Sequence, residues 1–208
     1  MSELPKHLNL IFWGVIIIII DFHISSTTNG FGLKLDILHD IIGATMVFKG
    51  VSGISKVQVD NPIFKAAIRH ALVASAIQIL FSFYDIVIYN VPLLVGVLID
   101  LLDLYILWGI IMFCKSMIVL SETYNLEPFI KKWNTAKQLF LWLNLIPLGI
   151  LQVISLVYLL SNIAVGQWHM ESVFGVTLSL ILTTTILLIP LIYALVILYQ
   201  MRKFKRFY

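Results

Sequence analysis

The chain falls into six long apolar runs separated by short polar stretches. They lie near 8–25, 34–54, 70–89, 92–120, 136–161 and 174–200. A helix needs about 20 residues to cross a hydrocarbon core of roughly 30 Å, and each run is about that long. A membrane β-barrel would instead show alternating segments of roughly ten residues. These runs are continuous and about twice as long. The stretch "GVIIIII" at 14–20 is rich in β-branched residues, which lowers helix propensity in water. In lipid every backbone amide must be bonded internally, so helix is expected there too.

Composition agrees with the pattern. Of 208 residues, 60% are hydrophobic and only 12% charged; the mean hydropathy is +0.99. Soluble domains carry about 25% charged residues, so the bilayer must supply part of the solvent. The expected fold is an all-α membrane bundle in one domain, residues 1–208, with almost nothing outside the membrane. One cysteine, Cys114, excludes an internal disulfide and a thiolate metal site.

Charge sets the orientation. With the N-terminus in the cytoplasm, the cytoplasmic side carries Lys6, Lys49, Lys56, Lys65, Arg69, Lys115, Lys131, Lys132, Lys137, Arg202, Lys203, Lys205 and Arg206. That is 13 of the 14 basic residues, leaving only Lys34 outside. The positive-inside rule therefore places both termini in the cytoplasm. Lys6 ahead of an apolar stretch has the form of a signal peptide. No small-residue cleavage site follows "IIIIIDFHISS", so an uncleaved first span is expected. The tail "MRKFKRFY" suits an ordinary stop-transfer anchor. Lys115 is expected to snorkel to the interface.

The polar residues inside the runs carry the candidate chemistry. Six of the eleven acidic residues lie within or beside spans: Asp21, Asp36, Asp40, Asp85, Asp100 and Asp103. All fall in the outer half under this topology, with His23 and His39. On a continuous second-span helix, Asp36 and Asp40 share one face, and Gly43 and Gly50 extend it. Asp100 and Asp103 share a face of the fourth. A helix N-terminus favours Asp in its first turn, so Asp36 also reads as a cap. Asp103 should lie about 15 Å below the outer boundary. An ionised carboxylate there costs roughly 2.5–3.5 kcal/mol and needs a proton, an ion or a neighbour. An oxygen-rich site suits a hard cation, and adding His39 shifts preference toward zinc or manganese. A polar cleft for a head group, or plain hydrogen bonding inside the bundle, fits the same residues; the metal is left unassigned. Pro147 and Pro190 are hinge candidates.

Internal similarity points to duplicated hairpins. Asp21, Gly32 and Asp36 recur as Asp85, Gly96 and Asp100 at an offset of 64 residues, and "LIPL" appears at 145–148 and 188–191. There is no HExxH pair, GxSxG elbow or Walker motif, and no His pair for haem. Neither a cofactor nor a nucleic-acid partner is expected, and an enzyme is unsupported.

The phrase "LDILHDIIGATMVFKGVSGIS" resembles a segment of small uncharacterised polytopic membrane proteins of Gram-positive bacteria, whose second span has the form D-I-L-P-D-x-I-G. Asp36, Ile37, Leu38, Asp40, Ile42 and Gly43 match, and His39 stands where the pattern has proline. The resemblance covers about a tenth of the chain. It implies a bacterial cytoplasmic membrane and brings no activity. The leading expectation is cation- or proton-linked transport or channel activity through an outward-facing acidic site, in a homo-oligomer. The alternative is a non-catalytic subunit that packs its glycine-lined second span against a partner membrane protein.

Overall fold

The computed structural model of the chain describes residues 3–20, 23–28, 31–36, 40–84, 93–165 and 173–204. Helices dominate: α1 (Leu4–Ile19), α2 (Asp40–Ser55), α3 (Pro62–Tyr84), α4 (Leu93–Thr123), α5 (Glu127–Leu139), α6 (Ile146–Val165) and α7 (Val173–Arg202). A π-helical segment, Phe140–Leu145, joins α5 to α6. Among the described residues, three stretches are long and apolar enough to cross a membrane: Pro62–Ser82, Leu98–Thr123 and Glu127–Ile154.

One element departs from the expected bundle. Strands β1 (His23–Thr28) and β2 (Phe31–Asp36) form an antiparallel hairpin, with Thr28 opposite Phe31 and His23 opposite Asp36. The first span, expected to reach 25, therefore ends as helix at Ile19. The second, expected from 34, begins as helix at Asp40. The physical reason is local. "HISSTT" is a run of hydroxyl and β-branched side chains, which favours strand. Asn29-Gly30 between the strands is the strongest short hairpin signal. α1 and α2 are left with 16 residues each, about 24 Å of helix. The expected duplication is also changed: Asp36 ends a strand, whereas its counterpart Asp100 lies inside α4.

Neighbouring helices pack in order: α1 on α2, α2 on α3, α3 on α4 and α4 on α5, with α7 closing against α1 and α5. The α1–α2 contact is unusually close. Gly43 and Gly50 lie seven residues apart and Gly53 three further, on one face of α2. A Cβ at Gly43 would sit 2.7 Å from the Gly14 carbonyl oxygen, and one at Gly50 would sit 2.8 Å from that of His7. The glycine face is thus covered within the chain by α1.

The termini of the helices are well defined. Asn61 caps α3: its Oδ1 accepts from the backbone N–H of Ile63 (2.8 Å) and Phe64 (3.3 Å), and Pro62 follows at the first helical position. α4 ends in a Schellman turn. Asn125 is left-handed (φ 52°), Leu126 N–H donates to Ser121 O (2.7 Å) and Asn125 N–H to Glu122 O (3.1 Å).

The buried core gathers where most of the basic residues lie. It includes Leu4, Leu8, Val59, Phe64, Trp133 and Met201. Contacts tie these chain ends together: Arg202 donates to Asn9 Oδ1 (2.6 Å), Lys132 to Gln200 Oε1 (2.5 Å) and Tyr124 to the Gln58 carbonyl (3.4 Å). Arg202 also lies over the Phe12 ring, 4.2 Å from its centroid. Elsewhere large apolar side chains such as Leu80, Leu101, Ile150, Val153 and Ile192 are exposed, as expected of a lipid-facing surface.

The two "LIPL" stretches fold differently. Pro147 has no N–H to offer the Leu143 carbonyl, and the chain changes register just before it: Ile146 N–H bonds Leu141 O, five residues back. Pro190 instead lies fully buried inside α7, which runs through it.

Candidate functional site

The expected acidic group lies only partly within the described residues. Asp36 ends β2 while Asp40 opens α2, so they share no helix face. Asp40 and Asp100 are half-buried and Asp103 is exposed; Asp40 and Asp103 each interact with another group. α3 packs against both α2, which carries Asp40, and α4, which carries Asp100 and Asp103. Among the described residues no three His, Cys, Asp or Glu side chains come close enough to hold a metal. His39, Asp21 and Asp85 lie outside the described residues, as does the side chain of Asp36.

What the helices do form is a partly open apolar slot of about 250 Å³. It is walled by Val15 of α1, Val47 of α2, Ala74 of α3, Ile110 of α4, Phe140 of the π-segment and Leu195 of α7. Along α1 the lining runs from Ile11 to Ile19, about 12 Å at the helical rise. Small residues open the space. Ala71, Ala74 and Ala194 leave room that leucine would fill, and Gly109 lets α4 approach Ala74 closely. An apolar cavity of about 150 Å³ already stays dry and takes up benzene.

Only Ser75 and Gln78, both on α3, give the lining polar character. The Ser75 hydroxyl donates to the Leu72 carbonyl (2.8 Å), which leaves its oxygen lone pairs to accept. The Gln78 carboxamide has no hydrogen-bond partner among the described residues. No charged side chain lines the slot. Gln78 lies nine residues past Arg69, about 13 Å deeper along α3. Further toward the basic end of the same helix, the His70 ring nitrogen Nδ1 lies 3.1 Å from the Tyr105 hydroxyl.

Sequence reasoning passed over Ser75 and Gln78. The signal was present: a glutamine in "VASAIQIL" is a polar group inside a spanning run, and such groups mark functional sites by default. It also passed over Asn144, which is 1% exposed in the π-segment with neither carboxamide atom hydrogen-bonded. A π-segment often marks a functional position.

Outside the slot, electrostatics are modest. The Lys65 ammonium, 2.8 Å from Asp60, holds that exposed carboxyl below its usual range. Ahead of the first apolar run, burial holds the His7 imidazole below its ordinary range; Glu3 pulls it up, while Lys6 and Lys56 push it down.

No family model matches the chain, nor does any curated protein or solved structure.

Proposed function

We propose that the chain is a six-span integral protein of a bacterial cytoplasmic membrane, with both termini cytoplasmic, that binds a lipid-like apolar molecule between its helices. The topology rests on the charge asymmetry and on the contacts that join the basic chain ends. The binding reading rests on one observation: the slot of about 250 Å³ among α1, α2, α3, α4 and α7 is apolar almost throughout. Ligand pockets for drug-sized molecules run from about 300 to 1,000 Å³, so a narrower hydrocarbon fits best. Hydrocarbon chains of bilayer lipid surround the protein, so supply is no obstacle. Filling the slot tests this. Ala194→Phe and, independently, Leu195→Trp should abolish retention of co-purifying lipid measured by mass spectrometry, relative to wild type in the same detergent. Unchanged retention in variants that remain folded overturns the reading.

A second reading, cation- or proton-linked transport through Asp36, Asp40, Asp100, Asp103 and His39, is favoured by one feature: Asp100 is half-buried in a long apolar helix. It predicts cation or proton flux in liposomes that Asp40→Asn, Asp100→Asn or Asp103→Asn reduces at least tenfold. Flux equal to wild type in all three ends that reading.

A further inference from the structure

The seam between α1 and α7 ends in two cations. Arg202, half-buried, donates from Nη1 to Asn9 Oδ1 (2.6 Å) and lies over two rings, 4.2 Å from the Phe12 centroid and 4.7 Å from that of Tyr199. Exposed Lys203 donates to the Tyr199 hydroxyl (2.5 Å). Among the described residues both cations meet only neutral groups, whereas Lys6 and Lys65 each face a carboxylate. A guanidinium is a planar fork of N–H donors, and the bond to Asn9 leaves most of them unused. The two rings hold that fork in place, so an anion that docks there orders little further side chain.

Deeper along α7 the cations continue into an apolar track. Ile192, Val196, Tyr199 and Lys203 recur at helical spacing on one face, and all four are exposed. The track is about 16 Å long at the helical rise. It presents two aliphatic side chains, then a tyrosine, then a positive head. On α1 the exposed Trp13 meets the Phe12 ring edge-on, with centroids 5.4 Å apart. Trp and Tyr collect at the head-group level of a membrane. A soluble anion would use only the cations; a phospholipid matches both parts. We propose that this seam binds the phosphodiester of an anionic phospholipid in the cytoplasmic leaflet, with Arg202 and Lys203 as its ligands and an acyl chain lying along Val196 and Ile192. The inference rests on the reading that this end of the chain lies at the cytoplasmic face of a membrane, and not on any occupant of the slot. The guanidinium fork can meet the two unesterified phosphate oxygens with parallel N–H bonds. Phosphatidylcholine carries the same phosphate but brings its own ammonium, which the two cations repel, so net negative heads are selected.

The experiment titrates the full chain in detergent with phosphatidylglycerol and phosphatidylcholine of identical acyl chains, and counts bound lipid by native mass spectrometry. Wild type should bind phosphatidylglycerol roughly tenfold or more tightly than phosphatidylcholine. Lys203→Gln and Arg202→Gln should each weaken phosphatidylglycerol about fivefold and leave phosphatidylcholine unchanged. Arg202→Lys keeps the charge but not the fork, and should lose less than Arg202→Gln. Lys203→Gln leaves the bond from Arg202 to Asn9 intact, so the test does not hinge on how the Arg202 variants fold. Lys115→Gln removes a like charge from α4 and should change nothing. The site is overturned if wild type shows no preference, or if Lys115→Gln costs as much as Lys203→Gln. It is also overturned if inorganic phosphate displaces the lipid where chloride of equal ionic strength does not, because the seam would then be a soluble-anion site. Binding in detergent is independent of orientation, so the membrane reading is checked separately. Cys114 is buried, and Lys203→Cys should label with an impermeant maleimide in inverted vesicles only. Labelling in intact cells overturns the cytoplasmic placement, whatever the lipid preference.

Discussion

Replacing Trp133 with alanine should destabilise the protein by about 3–5 kcal/mol, the range for deleting a buried aromatic. Trp133 is fully buried on α5 and meets the Phe113 ring of α4 edge-on, with centroids 5.8 Å apart. Phe129 and Ala136 complete the buried stripe of this helix. Without the indole, a cysteine placed at buried Ala136 should label faster with a water-soluble maleimide. The conservative change has a distinct outcome. The indole Nε1 is buried with no hydrogen-bond partner. Trp133→Phe removes that unsatisfied donor while keeping most of the ring, so it should cost less than about 1.5 kcal/mol. Denaturant titration of both variants checks the pair; equal losses would place the energy in the N–H rather than in packing.

The second large effect is expected at Gly43. Alanine normally gains up to about 1 kcal/mol over glycine inside a helix. Gly149, in α6, has nothing within 4 Å of where its Cβ would stand, so Gly149→Ala should gain stability. At Gly43 the added Cβ would lie 2.7 Å from the Gly14 carbonyl oxygen and 2.8 Å from Ile18 Cγ1. The oxygen belongs to a helix backbone and cannot swing away as a side-chain tip can. Gly43→Ala must therefore push α1 off α2, at a cost of about 1–3 kcal/mol. The signature is a difference in sign between chemically identical substitutions, read as melting temperatures in one detergent. A rise in both would mean that the close contact of α1 with α2 has little energetic weight.

These residues also show which features were readable beforehand. Long apolar runs announced α3, α4 and the stretch from α5 into α6 that ends at Ile154, because in lipid hydrophobicity and internal hydrogen bonding select the same structure. Among the basic residues, Arg202 reaches Asn9 and Lys132 reaches Gln200. The hairpin was also legible in Asn29-Gly30 and the hydroxyl-rich strand before it, but a reading dominated by hydropathy carried helix to 25 and resumed it at 34, into part of each strand. That error placed Asp36 on one helix face with Asp40. The packing of α3 against both α2 and α4 was not legible at all, because a periodic pattern says which face is apolar and not which helix it meets. The slot is of that kind. It is built from unremarkable isoleucines, valines, leucines and alanines on five helices.

The brevity of α1 and α2 has a consequence for the surrounding bilayer. At about 24 Å each they fall short of a hydrocarbon core of roughly 30 Å, whereas α4, with 31 residues, exceeds it. On the proposed six-span topology, the bilayer thins beside the first pair and thickens beside the longer helix unless that helix tilts. The boundary is therefore asymmetric around the circumference: short-tailed lipids are favoured at one flank and long-tailed ones at the other. Membrane thickness becomes a variable to which the chain responds.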